Sequence, residues 1–200
     1  MHMHLIRQFS ALALVSAAAW GQHDWTIDRV HSGAQFSVRH LMVSTVRGQF
    51  GKLTGTAKYD PANPTTGSIT AEVDASTIDT REPKRDADLK GPDFFDVEKH
   101  PTIKFQSTRL EPAGPEKFKM TGNLTMRGVT RTVAWDVEGL GKPVKDPRSG
   151  ADRIGATATA KIKRSDFGMT WNRVIEAGGV TVGDEVTLII DVELIRLAPK

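Results

Sequence analysis

The chain has 200 residues, no cysteine, 27 basic against 24 acidic side chains and a formal charge of +3. Without cysteine it has no disulfide framework and no thiol chemistry. Its Lys and Arg are scattered among acids with no dense basic stripe, which argues against nucleic acid as a partner despite a pI of about 9.2.

Residues 1–21 have the pattern of a secretory signal. Arg7 supplies the positive start, Phe9 to Ala19 the apolar run, and Ala19-Trp20-Gly21 or Ala17-Ala18-Ala19 the small residues before cleavage. The apolar run is shorter than the roughly 20 residues needed to span a bilayer. The expectation is an exported, periplasmic protein, with residues 22–200 forming one soluble domain.

After residue 24 the dominant period is two. Phe36, Val38 and His40 share one face of a strand, with Ser37 and Arg39 on the other. Asp60-Pro61-Ala62-Asn63-Pro64 breaks the next stretch. Residues 81–96 break the pattern: Arg85 to Lys90 predicts a short helix, and Phe94 and Phe95 are anchors for a barrel mouth. Ile103, Phe105 and Ser107 then alternate with polar residues. The stretch from Pro112 to Pro115 separates that strand from a stripe of Phe118, Met120, Gly122, Leu124 and Met126. Arg127-Gly128 reads as a tight turn. Val129, Val133, Trp135 and Val137 follow, with Arg131 among them. Gly139 to Gly150 reads as a long exposed loop. Ile154, Ala156, Ala158, Ala160 and Ile162 form the next stripe, and Val186 to Leu194 the last. About eight long strands joined by turns predict an antiparallel meander, which removes its edges by closing into a barrel. The polar face carries Lys, Thr, Glu and Arg, which argues against an outer-membrane barrel.

Few residues point to catalysis. His23, His31, His40 and His100 form no HxH or HxxxH pair, so no metal is expected. His31-Ser32 suits a turn between strands, and His40 a strand end at the rim. No GxSxG, GxGxxG or GxxxxGK occurs, so neither a serine nucleophile nor a phosphate-cradling loop is signalled, and no cofactor is expected. His40 and Asp86 are the candidates for an acid and base if the chain is a hydrolase or isomerase.

The small residues Ala71, Gly122, Ala156, Ala158 and Ala160 on the inner face allow two readings. Either they leave an elongated cavity for an apolar ligand, or Phe105, Phe118, Trp135 and Trp171 fill the space from neighbouring strands. Arg85-Asp86 also has two: Arg85 meets a ligand's polar head at the mouth, or the two form an ion pair that pins the loop to the barrel.

These segments carry a resemblance. Trp25-Thr26-Ile27-Asp28, His31-Ser32, residues 36–44 (FSVRHLMVS) and Val46-Arg47-Gly48-Gln49-Phe50 resemble the start of a YceI-like domain. Residues 76–80, Arg85-Asp86, Leu89-Lys90, residues 93–96, residues 101–107, Gly122 to Thr130, Asp166-Phe167-Gly168 and Val182 to Val186 continue it in order. Each motif is weak alone, but order and spacing together are specific. The resemblance implies a lipocalin-like barrel of eight antiparallel strands, closed by a short helix and loop. It also implies a periplasmic binder of polyisoprenoids, such as isoprenoid quinones or polyprenyl phosphates, that touches membranes transiently and pairs as a homodimer. Under this reading Phe36, Val38, Phe105, Trp135 and Ala158 line the tunnel, His40 and Arg85 sit near its mouth, and Phe94 and Phe95 belong to the lid. The family usually reads RDxHL where this chain has Arg85-Asp86-Ala87-Asp88-Leu89, so Asp88 stands in the place of a histidine.

Overall fold

Alternation of apolar and polar residues becomes a sheet with one dry face and one wet face. The computed structural model describes residues 23–175 and 178–196, so the expected export signal lies outside the described residues. The strand segments are β1 (His23–Ile27), β2 (Gly33–His40), β3 (Ser44–Phe50), β4 (Leu53–Tyr59), β5 (Ser68–Asp74), β6 (Ile78–Asp79), β7 (Thr102–Gly114), β8 (Lys117–Met126), β9 (Val129–Gly139), β10 (Val144–Lys145), β11 (Asp152–Lys163) and β12 (Val182–Arg196). Among the described residues the one α-helix is α1 (Pro83–Lys90).

Every pairing is antiparallel, in the order β9-β8-β7-β5-β4-β1-β12, and β11 closes the ring by pairing with both β9 and β12. Along one edge of β12, β1 pairs at residues 194–196 and β2 at residues 182–191. β1 and β2 are therefore two halves of one bent strand, and β3/β4 and β5/β6 repeat the arrangement beside them. The result is a closed barrel of eight antiparallel strands.

The bends are satisfied locally. Between β1 and β2, Asp28 N donates to Glu193 O at 2.8 Å, and Glu193 N donates to the Ser32 hydroxyl at 2.9 Å. Ser32 thus stands in for a missing strand carbonyl, as buried backbone donors require. The β8–β9 turn has Arg127 and Gly128 at φ 50° and 73°, the paired left-handed conformation of a two-residue hairpin. A Cβ on Gly128 would lie 2.9 Å from His100 Cε1, so that histidine packs on the turn.

Several expectations need correction. α1 begins at Pro83, because proline suits the first helical turn and Glu82 caps it by accepting from Lys84 N at 3.1 Å. Pro112 lies inside β7, opposite Phe118, and the turn comes at Gly114 to Glu116. The stretch from Gly139 to Gly150 is not all loop: β10 pairs with β11, and Asp146 closes the hairpin by accepting from Arg148 N and Ser149 N at 2.8 and 3.2 Å. Arg131 is exposed despite sharing the parity of Val133 and Trp135.

Candidate ligand-binding cavity

The inward-facing set encloses a cavity of about 220 Å³ with an almost wholly apolar wall. A second cavity of about 570 Å³ lies on the α1 side. The two share Phe36, Val38, Leu89, Phe94 and Val182 in their walls, so the outer one is the vestibule of the inner. Tyr59 lines the inner cavity, and behind it Trp25 is fully buried and its Nε1 donates to Tyr59 O at 3.0 Å. The Tyr59 hydroxyl donates to Leu140 O at 2.8 Å, and burial pushes its pKa up.

Small inner residues divide into two kinds. Ala71, Ala156 and Ala158 line the cavity and leave it open. Gly122 does not: a Cβ there would lie 2.4 Å from Phe105 Cζ, so the Phe105 ring occupies its space. Phe105 and Trp135 meet edge to face at 5.6 Å and form part of the wall without filling the interior. Trp171 is not an interior residue. It sits in the vestibule against Phe94, with ring centroids 5.5 Å apart.

Phe36, Val38, Phe94, Phe95, Phe105, Trp135 and Ala158 all line the inner cavity, and His40 and Arg85 line the vestibule. Phe95 packs at 5.6 Å, edge to face, on Phe50 of the barrel wall. Arg127 Nη1 holds the lid backbone by donating to Phe94 O at 3.1 Å.

Arg85 and Asp86 do not pair with each other. Arg85 donates from Nε to the Thr80 hydroxyl at 2.8 Å and from Nη2 to Thr80 O at 2.9 Å. Asp86 Oδ1 accepts from Thr80 N at 2.8 Å and from its hydroxyl at 2.5 Å. Both side chains close on one buried threonine at the end of β6, which fixes the start of α1 over the mouth. Asp86 lines neither cavity and no hydrogen bond joins it to His40, so the candidate acid–base pair is not assembled.

Two features escaped the sequence reading. Arg164 is 5% exposed and lines the inner cavity. It donates to Gly183 O, Met169 O and Val182 O at 3.0, 2.5 and 3.3 Å, and burial lowers its pKa. Its signal was its parity, which continues the stripe of Ala160 and Ile162. Trp135 Nε1, deep in the wall, is the one buried side-chain nitrogen or oxygen without a hydrogen-bond partner among the described residues.

Asp28, His31 and Glu193 bring possible metal-ligand atoms within 4.8 Å of one another. The cation among them is Arg153, whose Nη1 donates to Asp28 Oδ2 at 2.6 Å and also to Glu193.

This barrel has known relatives. The model of the YceI-like domain matches residues 25–194. The chain belongs to the YceI-like family. A UPF0312 protein of Azotobacter vinelandii is 34% identical over 198 residues, covering 96% of this chain and 99% of that protein. A UPF0312 protein of Staphylococcus aureus strain N315 is 33% identical, covering 82% and 92%. Among solved structures, the Campylobacter jejuni YceI protein superposes with a TM-score of 0.68 at 31% identity, covering 80% of this chain and 90% of that one. Burkholderia cenocepacia BcnA gives 0.73 at 24% identity, covering 84% and 98%. A polyisoprenoid binding domain from Saccharophagus degradans gives 0.64 at 13% identity, covering 86% and 98%. The last two show the shared fold. This YceI-like chain thus has the barrel that its sequence resemblance implied.

Proposed function

We propose that this protein binds a long isoprenoid lipid, an isoprenoid quinone or a polyprenyl phosphate, inside the barrel, and so transports, stores or sequesters it. The observation that carries this reading is the almost wholly apolar cavity inside the barrel, which shares part of its wall with a vestibule on the α1 side. An apolar chain gains roughly 0.8 kcal/mol per buried CH₂, so several prenyl units bind firmly without strong polar contacts. The name of the Saccharophagus degradans neighbour supports the ligand class. The unassembled His40 and Asp86 support binding over catalysis. On the same reading the protein is exported through residues 1–21, works in the periplasm, touches membranes transiently and forms a homodimer.

The test is native mass spectrometry of the protein purified from its own host, followed by organic extraction. A stoichiometric isoprenoid is expected. An empty protein that also refuses added quinones and polyprenyl phosphates would refute the reading.

A further inference from the structure

Apolar side chains that face water are concentrated at one place on this barrel. Among the described residues six large ones are exposed, and four of them, Leu41, Met42, Val43 and Val174, belong to two loops at the rim of the vestibule. The other two, Val30 and Val144, lie by the Arg153 network. The turn from β2 to β3 carries the first three, and the segment after Trp171 carries the fourth. Leu41 N donates to Thr181 O and Thr181 N to Arg173 O, both at 2.9 Å, and Val174 bridges to Val180. A Cβ on Gly179 would lie 3.3 Å from Met42 Cγ, so the loops touch. Val43 N donates to His40 O at 3.0 Å, and Arg39 Nη2 donates to Met42 O at 2.8 Å. The loops thus pair backbone groups with each other, as contact with an apolar phase requires.

Local conformation does not account for the residue types at this tip. Leu41 and Met42 have φ of 51° and 59°. Two successive left-handed residues favour Asn and Gly, and bulky side chains are strained there. Neither residue packs in the hydrophobic core. Beside the tip, Trp171 is half-buried in the vestibule wall, with the Arg173 guanidinium 5.8 Å from its ring. Arg39 and Arg173 are exposed and form no ion pair among the described residues. Asp88 and Asp93 lie in the same vestibule wall, so the rim has little net charge and its apolar side chains supply most of any attraction.

We propose that this rim docks on a phospholipid bilayer. Leu41, Met42, Val43 and Val174 enter the edge of the hydrocarbon, while Trp171, Arg39 and Arg173 stay at the level of the phosphates. A second copy of the chain is the poorer occupant: four apolar side chains fall well short of the roughly 800 Å² per partner that stable pairing buries. A bilayer accepts a narrow tip. The inference rests on the lipid-binding reading for its cargo, which passes between bilayer and barrel through the vestibule without crossing water.

Co-sedimentation with phosphatidylcholine vesicles tests this on protein purified from its own host. Wild type is expected to pellet with the vesicles. Val43→Asp with Val174→Asp should lower the partition at least about tenfold. The lipid is zwitterionic, so charge repulsion does not account for that loss. Leu41→Asn with Met42→Gly supplies the residues that the turn backbone favours. It should lose binding as well, yet melt no lower than wild type. Val144→Asp, exposed but beside Arg153, should bind as wild type does. Native mass spectrometry of the same preparations reads the carried isoprenoid and the oligomeric state separately. Wild type that stays in the supernatant overturns the docking surface, whether or not it carries isoprenoid. Rim variants that pellet like wild type overturn it, and so does an equal loss in Val144→Asp. A wild-type dimer that the rim variants split overturns it too, because the tip would then serve a second copy. Vesicle binding that the rim variants abolish, in a protein that neither carries nor accepts an isoprenoid, supports the surface and removes the lipid-binding reading.

Discussion

Arg153 Nη1 donates to Asp28 Oδ2 at 2.6 Å, joining β11 to the bend between β1 and β2 across 125 residues of sequence. The same guanidinium reaches Asp146 through Nε at 2.7 Å and also holds Glu193 of β12. One side chain thus ties three backbone segments where the barrel wall is interrupted. Arg153→Met keeps the aliphatic stem but leaves three carboxylates facing one another. The urea midpoint is expected to fall with an unchanged slope, because the loss is of native contacts and not of buried surface. An unchanged midpoint would show that water and salt screen the network completely.

The network also sets a pH dependence. Hydrogen bonds from His31 and Arg153 hold the Asp28 carboxyl well below its ordinary 3.8, and the amides of Arg148 and Ser149 lower Asp146 to about 2. Groups with depressed pKa values stabilise the fold above their unfolded value and lose that contribution as pH falls toward the folded one. Stability should therefore decline from about pH 4 down to about pH 2. His31 has the opposite sign. Its pKa is raised by its hydrogen bond to Asp28, so its contribution is full below the ordinary 6.5 and lost as pH rises through the folded value. It is well exposed, and the alkaline decline should be the smaller. Thermal melts of wild type and Asp28→Asn across pH 2 to 8 check both limbs: the variant should flatten the alkaline limb and make the acid limb shallower, leaving the part due to Asp146.

Gly48 is a packing requirement. A Cβ there would lie 2.4 Å from Phe36 Cζ and 2.8 Å from Thr80 Cγ2. Gly48→Ala is expected to cost about 1–3 kcal/mol by overpacking and to push the Phe36 ring into the cavity. Phe36→Leu in the same chain should return part of that loss, which a double-mutant cycle measures. Strict additivity would mean that the ring is not what excludes the methyl.

Ala158 lies on the cavity wall at 9% exposure. Ala158→Trp places an indole in that volume, and lipid affinity should drop at least about tenfold while the far-ultraviolet dichroism stays that of a β-barrel. A folded variant with undiminished lipid binding would place the ligand elsewhere.

Asp88 faces the vestibule, at the position where the family resemblance implies a histidine. Asp88→His removes a negative charge there. Affinity for a phosphate-bearing lipid should rise several-fold relative to the matching alcohol. No change in that ratio would show that the head does not reach α1.

Much of the barrel was legible in the chain because strand alternation is a local property. Phe118, Leu124, Val133, Trp135 and Val137 read as inward from parity alone, and all are buried. Parity fails where a bulge intervenes: between Ser107 and Arg109 the register of β7 shifts, so the inward set passes from Phe105 and Ser107 to Leu110. Arg131 and Arg164 show the same limit. Both continue an apolar stripe, yet one is exposed and the other buried, because Arg164 finds the carbonyls of Val182 and Gly183 at the start of β12 and of Met169 within reach.

The sequence by itself determined the strand count, the meander order, the inward face and the family, because each is written in a period of two or in motifs of fixed order. Only the tertiary structure decided whether the small residues leave space. That depends on which ring from the next strand reaches each gap: Phe105 fills the place beside Gly122, and no ring fills the place beside Ala158. It also decided that Arg85 and Asp86 both clamp Thr80, because neighbours in sequence need not pair with each other when a third residue, brought near by chain folding, offers better hydrogen-bond geometry.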